Sequence, residues 1–281
     1  MSLTDAQWAR IEPLLPDRTP RRGGRWRDHW QVIDAVAFKY RTGTPWMDLP
    51  EEFGSWKGVH NRLRKWAADG TWERLLTALL AQADAEGDLD WVVSVDSTVV
   101  RSHQHAAGAR PKGAPADEPD DHALGRSRGG LTTKIHLAAD SRCRPLTFVI
   151  TPGQADDAPA FEQVMARIRV PRPVGRPRTT PDVVLADKAY SSRAIRTHLR
   201  RRGIRAVIPQ PADQAANRKR LGSRGGRPPA FDREAYKRRN TVERCINKLK
   251  QWRGLATRYD KNATIYLAGL RLAAIFIWSA R

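Results

Sequence analysis

Residues 91–100 read Trp-Val-Val-Ser-Val-Asp-Ser-Thr-Val-Val, an apolar run with a single acidic residue, Asp96, inside it. The density of β-branched residues predicts a β-strand that is largely buried. An ionised carboxylate buried in such a strand costs several kcal/mol unless a partner compensates it. Asp96 therefore has either a structural partner or a chemical function, and the run by itself leaves both open.

The chain beyond this strand alternates between apolar runs and helical periodicity. Strands are predicted at 131–139, 145–151, 183–186 and 206–209, and helices at about 156–169 and 191–202. This alternation predicts an α/β fold with a mixed sheet flanked by helices. Asp187 directly follows one of these strands, and α/β folds place their sites at the carboxyl ends of strands. Asp187 thus joins Asp96 as a candidate site residue.

The residues before Trp91 have helical periodicity instead. Helices are predicted at 4–15, 28–42, 55–68 and 71–85. At 100° per residue, the third helix has an apolar face and an opposite polar face. The polar face carries Lys57, Asn61, Arg64 and Lys65. This pattern favours a helix-turn-helix module whose third helix enters the major groove of DNA, with an ordinary solvated helix face as the alternative.

The change in pattern predicts two domains. Residues 1–88 form a small all-α, helix-turn-helix domain, and residues 89–281 form the α/β domain. Two stretches in the second domain, at about 106–130 and 211–229, are rich in glycine, proline and charged residues. We expect both to be flexible loops.

The charge of the chain indicates a polyanionic partner. Its 281 residues include 50 Lys and Arg against 30 Asp and Glu, a formal charge of +20. Residues 200–281 hold 21 of the basic residues and only 5 of the acidic ones. Nucleic acid is the first expectation for such a chain. The two cysteines lack disulfide or zinc spacing, which favours a reducing, cytoplasmic location, and no apolar run is long enough to predict a membrane anchor.

A third carboxylate, Glu243, lies in a segment predicted to be helical from about 233 to 252. On a continuous helix, Tyr236, Arg239, Glu243 and Lys250 share one face within about 60°. A solvated helix with an Arg239–Glu243 ion pair is the alternative interpretation. Together with Asp96 and Asp187, Glu243 would make an oxygen-rich site of the kind that Mg²⁺ or Mn²⁺ prefers. Two such ions can activate a nucleophile and stabilise the leaving oxygen of a phosphodiester.

The spacing Tyr236-(2)-Arg239-(3)-Glu243-(6)-Lys250, with Val-Asp96-Ser-Thr and Ala-Asp187-Lys-Ala-Tyr before it, resembles a specific family. It is similar to the bacterial insertion-sequence transposases of the DDE type, in the insertion-sequence-five family. The stretches Trp46–Trp56 and Gly125–His136 also resemble that family's N-terminal module and central segment. The resemblance covers nearly the whole chain.

This resemblance implies an RNase H-like catalytic domain in which Asp96, Asp187 and Glu243 bind two divalent ions, Mg²⁺ or Mn²⁺. It implies that Tyr236, Arg239 and Lys250 lie near transposon-end DNA. The expected activity is cleavage at the ends of the element followed by strand transfer into target DNA. The expected partners are double-stranded DNA and a second copy of the chain, with no nucleotide cofactor, in the bacterial cytoplasm at the nucleoid.

Two other functions remain open at this point. The chain could be a transposase-derived DNA-binding regulator that has lost catalysis, although the intact carboxylates count against this. It could also be a metal-dependent DNA nuclease that does not join, because hydrolysis and strand transfer require the same ions.

Overall fold

The strand that begins after Trp91 lies in the centre of the sheet in the computed structural model, which describes residues 2–17, 27–108 and 118–280. Within these residues the strands form one mixed sheet. They are β1 (Val92–Ser102), β2 (Gly125–Ser127), β3 (Gly130–Ala139), β4 (Pro145–Pro152), β5 (Val183–Ala186), β6 (Arg205–Val207) and β7 (Thr257–Arg258). The predicted strands are confirmed, with shifts of one or two residues at most ends.

The strand pairing changes from antiparallel to parallel at β1. On one side β1 pairs with β3 in antiparallel register, and β4 and β2 both pair with β3. On the other side β1 runs parallel to β5, and β5 runs parallel to β6. The order along the main path is β2-β3-β1-β5-β6. The carboxyl ends of β1 and β5 therefore point the same way, which decides where the candidate site lies.

Helices precede and flank this sheet. They are α1 (Asp5–Ile11), α2 (His29–Thr42), α3 (Trp56–Ala68), α4 (Thr71–Ala85), α5 (Gln104–Ala107), α6 (Asp157–Arg167), α7 (Arg193–Arg201), α8 (Ala212–Arg220), α9 (Arg233–Lys237), α10 (Asn240–Lys250), α11 (Arg253–Ala256) and α12 (Ala263–Ser279). The predicted α/β class, a mixed sheet flanked by helices and preceded by an all-α segment, is confirmed. None of the helices in the described ranges is long and apolar enough to cross a membrane.

Local signals in the sequence explain the boundaries of the first two helices. The Thr4 side chain accepts from the Gln7 N–H, and the Gln7 side chain accepts from the Thr4 N–H, which forms a capping box at the start of α1. Asp28 caps α2 through bonds from the Trp30 and Gln31 N–H groups. Gly43 ends α2 in the left-handed conformation, at φ +75°.

The N-terminal helices share a hydrophobic core with the last helix of the chain. α12 packs against α4, α3 and α2, and it also contacts β4. The Tyr40 hydroxyl of α2 donates to Asp260 Oδ2 at 3.1 Å and lies 3.2 Å from the Ile265 carbonyl oxygen of α12. The chain thus changes from helices to strands near residue 88, but one hydrophobic core includes residues from both sides of this point. That residues 1–88 act as a separate DNA-binding domain stays a prediction.

Two stretches predicted as loops contain regular structure. The 211–229 stretch contains α8 and a 3₁₀ turn at 222–225. No residue of α8 is buried, so the helix has no apolar periodicity that could reveal it, although alanine, glutamine, arginine and lysine are strong helix formers. The 106–130 stretch contains β2, whose Gly-Arg-Ser sequence has no strand signal and depends on pairing with β3. Its residues 109–117 lie outside the described ranges.

The structure also differs from the prediction of one helix from 233 to 252. This segment is divided into α9 and α10, with a turn at Arg238 and Arg239 between them. Both turn residues keep right-handed backbone angles, so the two helices follow each other without a reversal of the chain. Arg239 lies immediately before α10, where its side chain can reach both the helix and the sheet.

Candidate active site

The parallel pairing of β1 with β5 positions the first two carboxylates. Val95 of β1 is in register with Ala186 of β5, so Asp96 and Asp187 are the next residues on neighbouring strands. Asp187 ends its strand and caps the short turn Lys188–Tyr190, with its Oδ1 accepting from the Ala189 N–H at 2.8 Å. Asp96 Oδ1 accepts from the Ser97 N–H at 2.8 Å. The register places both carboxylates where β5 ends, beside the middle of β1.

Helix α10 brings the third carboxylate to this end of the sheet. Its buried residues Val242, Ile246 and Leu249 form the apolar face, and the helix packs against β1 and β3. The Ser94 and Thr241 hydroxyls lie 3.2 Å apart, a buried hydrogen bond that ties the start of α10 to β1. Glu243 lies in the first turn of the helix, at the exposed edge of the apolar face.

Arg239 connects two of the three carboxylates. Its Nη2 donates to Asp96 Oδ2 at 2.9 Å, and its Nη1 donates to Glu243 Oε1 at 2.7 Å. The side chains of Asp96 and Arg239 are 17% and 19% exposed, and that of Glu243 is 49% exposed. The Arg239–Glu243 ion pair considered from the sequence is therefore present, but it is part of a bridge to the sheet and not an isolated pair on a solvated helix.

The pKa values of the neighbouring groups show that the site concentrates negative charge. Burial raises the pKa of Asp96, and the charges of Asp187 and Glu243 raise it further, against the Ser97 N–H and Arg239, which lower it. Burial also raises the pKa of Tyr236, with the three carboxylates adding to the effect and Arg239 opposing it. Tyr236, Arg239 and the three carboxylates therefore lie within electrostatic reach of one another.

The residues fit a divalent cation by donor type. Carboxylate oxygens are the ligands that Mg²⁺ and Mn²⁺ prefer, and Asp96 and Glu243 already share one cationic group, the Arg239 guanidinium. In the arrangement described for residues 2–17, 27–108 and 118–280, no three His, Cys, Asp or Glu side chains are grouped closely enough to hold a metal ion. The guanidinium lies between Asp96 and Glu243, so ligation by both would require it to move.

Lys250 lies apart from the carboxylates. It is the last residue of α10, and its Nζ is 3.4 Å from the carbonyl oxygen of Val99, three residues beyond Asp96 on β1. Burial lowers its pKa. The structure thus places Lys250 farther along the strand that carries Asp96, and not within the carboxylate group.

The predicted outer face of α3 is exposed. Lys57, Asn61, Arg64 and Lys65 all lie in solvent, while Val59, Leu63 and Trp66 are buried against the other helices. This geometry exposes the basic and amide-bearing face of α3 to solvent. The contact with DNA itself stays a prediction.

A second polar cluster lies on the opposite face of β1, and the sequence does not predict it. Successive side chains on a strand point to opposite faces, so Ser97 faces away from Asp96. Its hydroxyl donates to Asp157 Oδ1 at 2.6 Å, and Lys134 Nζ lies 3.2 Å from the same oxygen. His136 Nδ1 is 3.6 Å from Asp157, but burial lowers the His136 pKa to about 4, so the ring is neutral at pH 7 and forms no ion pair.

The signal for this cluster was present in one place. Lys134 and His136 belong to the segment Gly125–His136, which resembles the family's central segment, but the resemblance assigns no role to either side chain. Nothing in the pattern around Asp157 distinguishes it from an ordinary first-turn acidic residue of α6. Only the packing of α6 against β3 and β1 brings the four residues together.

Two family models match the chain. Residues 3–76 match a family described as "Putative transposase of IS4/5 family", and residues 87–278 match the family "Transposase DDE domain". The first match ends within α4, and the second begins just before β1. The second match covers more than half of the chain.

Individual relatives agree with these matches. The "Putative transposase for insertion sequence element IS6501" of Brucella ovis is 31% identical over 148 residues, which are 53% of this chain and 98% of that protein. The corresponding protein of element IS402 from Burkholderia cepacia is 32% identical over 169 residues, 60% of this chain and 69% of that protein. Among solved structures, the Mos1 strand transfer complex is 15% identical, covering 85% of this chain and 81% of that one, with a TM-score of 0.27, too low for a structural conclusion.

The resemblance inferred from the carboxylates and the Tyr236–Lys250 spacing is confirmed by these matches. Since the DDE model spans 87–278 and the Brucella relative is matched over nearly its whole length, the chain belongs to the DDE transposases of insertion sequences.

Proposed function

We propose that Asp96, Asp187 and Glu243 are the catalytic carboxylates with which this transposase cuts DNA at the ends of its element and joins those ends to target DNA. The observation that carries the proposal is the Arg239 bridge. A cationic group held by Asp96 and Glu243, with Asp187 following the adjacent strand, supports a cation-binding site at this point. The concentration of negative charge there supports a metal-dependent reaction.

Two divalent ions, Mg²⁺ or Mn²⁺, would be held by these three carboxylates. When bound, such ions activate a water or a 3′-hydroxyl as nucleophile and stabilise the leaving oxygen of the phosphodiester. The protein's part is to fix the carboxylates through the β1–β5 register and the packing of α10, and to place cationic side chains toward phosphate.

The remaining predicted residues are proposed to hold DNA. Arg239 and Lys250 would contact the phosphate backbone of the element's end, since guanidinium and ammonium groups bind phosphate by charge-assisted hydrogen bonds. Tyr236 lies within electrostatic reach of Arg239 and the three carboxylates. The exposed face of α3 would read the end sequence in the major groove. Because two ends must be joined together, the active form would be a homodimer on DNA.

The test is to replace each carboxylate with its amide: Asp96→Asn, Asp187→Asn and Glu243→Gln. The substrates are a labelled element end and a target plasmid, with Mg²⁺ or Mn²⁺. Each variant should lose cleavage and joining by more than about 100-fold, while its affinity for the end stays within about twofold, because an amide keeps the shape but loses the charge that holds a cation. Glu234→Gln, an exposed carboxylate of α9, is the matched control and should remain active.

The same assay separates the alternatives. Binding without cleavage by the unsubstituted protein would identify a regulator without catalysis. Cleavage without joining would identify a nuclease. If the Glu243→Gln variant cleaved DNA at the rate of the unsubstituted protein, Glu243 would not be one of the catalytic carboxylates.

A further inference from the structure

The segment between the second and third carboxylates has an extreme charge. Residues 193–230 contain eleven Lys and Arg residues and one acidic residue, Asp213. This segment includes α7, β6 and α8, and it forms the edge of the sheet because β6 is the last strand on the main path. So strong an excess of one sign on a surface segment repels itself and favours a polyanionic ligand.

Part of this segment encloses a groove of about 790 Å³. The arginine groove is lined by Arg196, Arg200, Arg205, Arg227, Pro228 and Pro229, together with small or apolar residues of β6 and its flanks. None of the three catalytic carboxylates lines it. Its two consecutive prolines have fixed φ angles, which stiffens one wall.

The four arginines fall into two classes. Arg196 donates to the carbonyl oxygen of Ile208 at 2.9 Å and to the Ser191 hydroxyl at 3.2 Å, and Arg205 is paired with Asp232. These two side chains are held by the fold. Arg200 and Arg227 are exposed, and across the described ranges no ion pair or side-chain hydrogen bond holds either guanidinium. The groove thus presents two cations that are available to a ligand beside two that maintain its shape.

We propose that the arginine groove binds the sugar-phosphate backbone of duplex DNA as a second contact, separate from the carboxylates. This inference rests on the proposed function, which supplies the DNA. Guanidinium groups match phosphate oxygens in two-point hydrogen bonds, and an open groove at a sheet edge suits a continuous backbone better than a small enclosed ligand. The contact carries no base recognition, so it adds affinity for any duplex.

The experiment uses the full chain with Arg200→Gln and Arg227→Gln together. Fluorescence anisotropy measures binding to a random 30-base-pair duplex in EDTA at several salt concentrations. Losing two phosphate contacts should lower the slope of log affinity against log salt by about 2 and weaken binding roughly 10- to 50-fold near 100 mM salt.

Arg169→Gln with Arg176→Gln is the matched control, because it removes the same charge from exposed positions outside the groove. An unchanged salt slope in the groove variant would overturn the proposal. An equal loss in the control would overturn it as well, since the effect would then belong to net charge. A failure of the proposed function would look different. The carboxylate variants would then cleave DNA as the unsubstituted protein does, while the affinity measurements on random duplex would be unaffected.

Discussion

Arg239 and Asp96, which are 143 positions apart in the sequence, form a direct ion pair with Arg239 Nη2 2.9 Å from Asp96 Oδ2. The pair joins the turn before α10 to the central strand of the sheet. Both side chains are less than one-fifth exposed, so solvent screens the pair only in part. The same guanidinium reaches Glu243, and a cation that enters between these carboxylates has to compete with it.

Arg239→Gln should therefore bind Mn²⁺ more tightly, by about tenfold, which corresponds to about 1.4 kcal/mol. The substitution removes both a competing hydrogen-bond donor and a positive charge that repels the ion. Isothermal titration calorimetry of the DNA-free protein measures the change. Lys237→Gln, which removes an exposed charge from α9, should leave Mn²⁺ affinity unchanged. Weaker binding by Arg239→Gln would show that Arg239 mainly holds the carboxylates in place.

The exposed face of α3 predicts a separable effect on sequence recognition. Arg64→Ala with Lys65→Ala should reduce the preference for the element's end over random duplex by roughly 10- to 100-fold, since each good base contact contributes about 1 to 3 kcal/mol of discrimination. Competition binding with end and random duplexes measures the ratio. If the ratio of end affinity to random-duplex affinity were unchanged, even with weaker binding to both duplexes, α3 would contact only the phosphate backbone and would not read the bases. Deleting residues 1–88 is a poorer test, because it would uncover the face of α12 that packs on α2, α3 and α4.

His136 predicts a specific dependence of stability on pH. Its side chain is 1% exposed, and burial lowers its pKa from 6.5 to about 4. Between these values the unfolded chain binds a proton that the folded chain does not, so the free energy of unfolding decreases as the pH falls from about 6.5 to about 4. The total decrease from this group is at most about 3 kcal/mol.

Urea unfolding in EDTA at pH 7.5, 6 and 5 checks this expectation. His136→Gln should lose part of the decrease, whereas His105→Gln, at an exposed position of α5, should keep the dependence of the unsubstituted protein. If the His136→Gln protein lost stability with falling pH as steeply as the unsubstituted one, the burial of a neutral His136 would be contradicted.

Gly269 predicts how tightly the N-terminal helices are attached to α12. A Cβ at this position would lie 2.5 Å from Tyr40 Cζ, and the Tyr40 hydroxyl is bonded to Asp260, so the ring cannot move freely. Gly269→Ala should destabilise the fold by about 1 to 3 kcal/mol through overpacking. Gly58→Ala, where a Cβ meets nothing within 4 Å on α3, should instead stabilise it by about 0.5 to 1 kcal/mol. Equal unfolding midpoints for the two variants would contradict the close contact of α2 and α12.

Much of the fold could be predicted because its elements carry their own signals. Apolar runs identified β1, β3, β4 and β5, and capping residues such as Thr4 and Asp28 marked helix starts. The sequence did not predict elements without a buried face, since α8 has no apolar periodicity and β2 depends on pairing with β3. It did not predict the turn at Arg238 and Arg239 either, because both residues keep helical angles and neither is proline or glycine.

The residue types of the candidate site follow from the sequence alone: three carboxylates in recognisable contexts, a basic segment between the second and third of them, and an amphipathic third helix. Which of these groups meet depends on the packing of the folded chain. The β1–β5 register sets Asp96 beside Asp187, and the packing of α10 lets Arg239 bridge Asp96 and Glu243, while Lys250 lies farther along β1. The packing of the folded chain also assembled Asp157 with Ser97 behind the site. Residue type and local periodicity are encoded within a few positions, whereas contacts between distant residues depend on how buried faces pack.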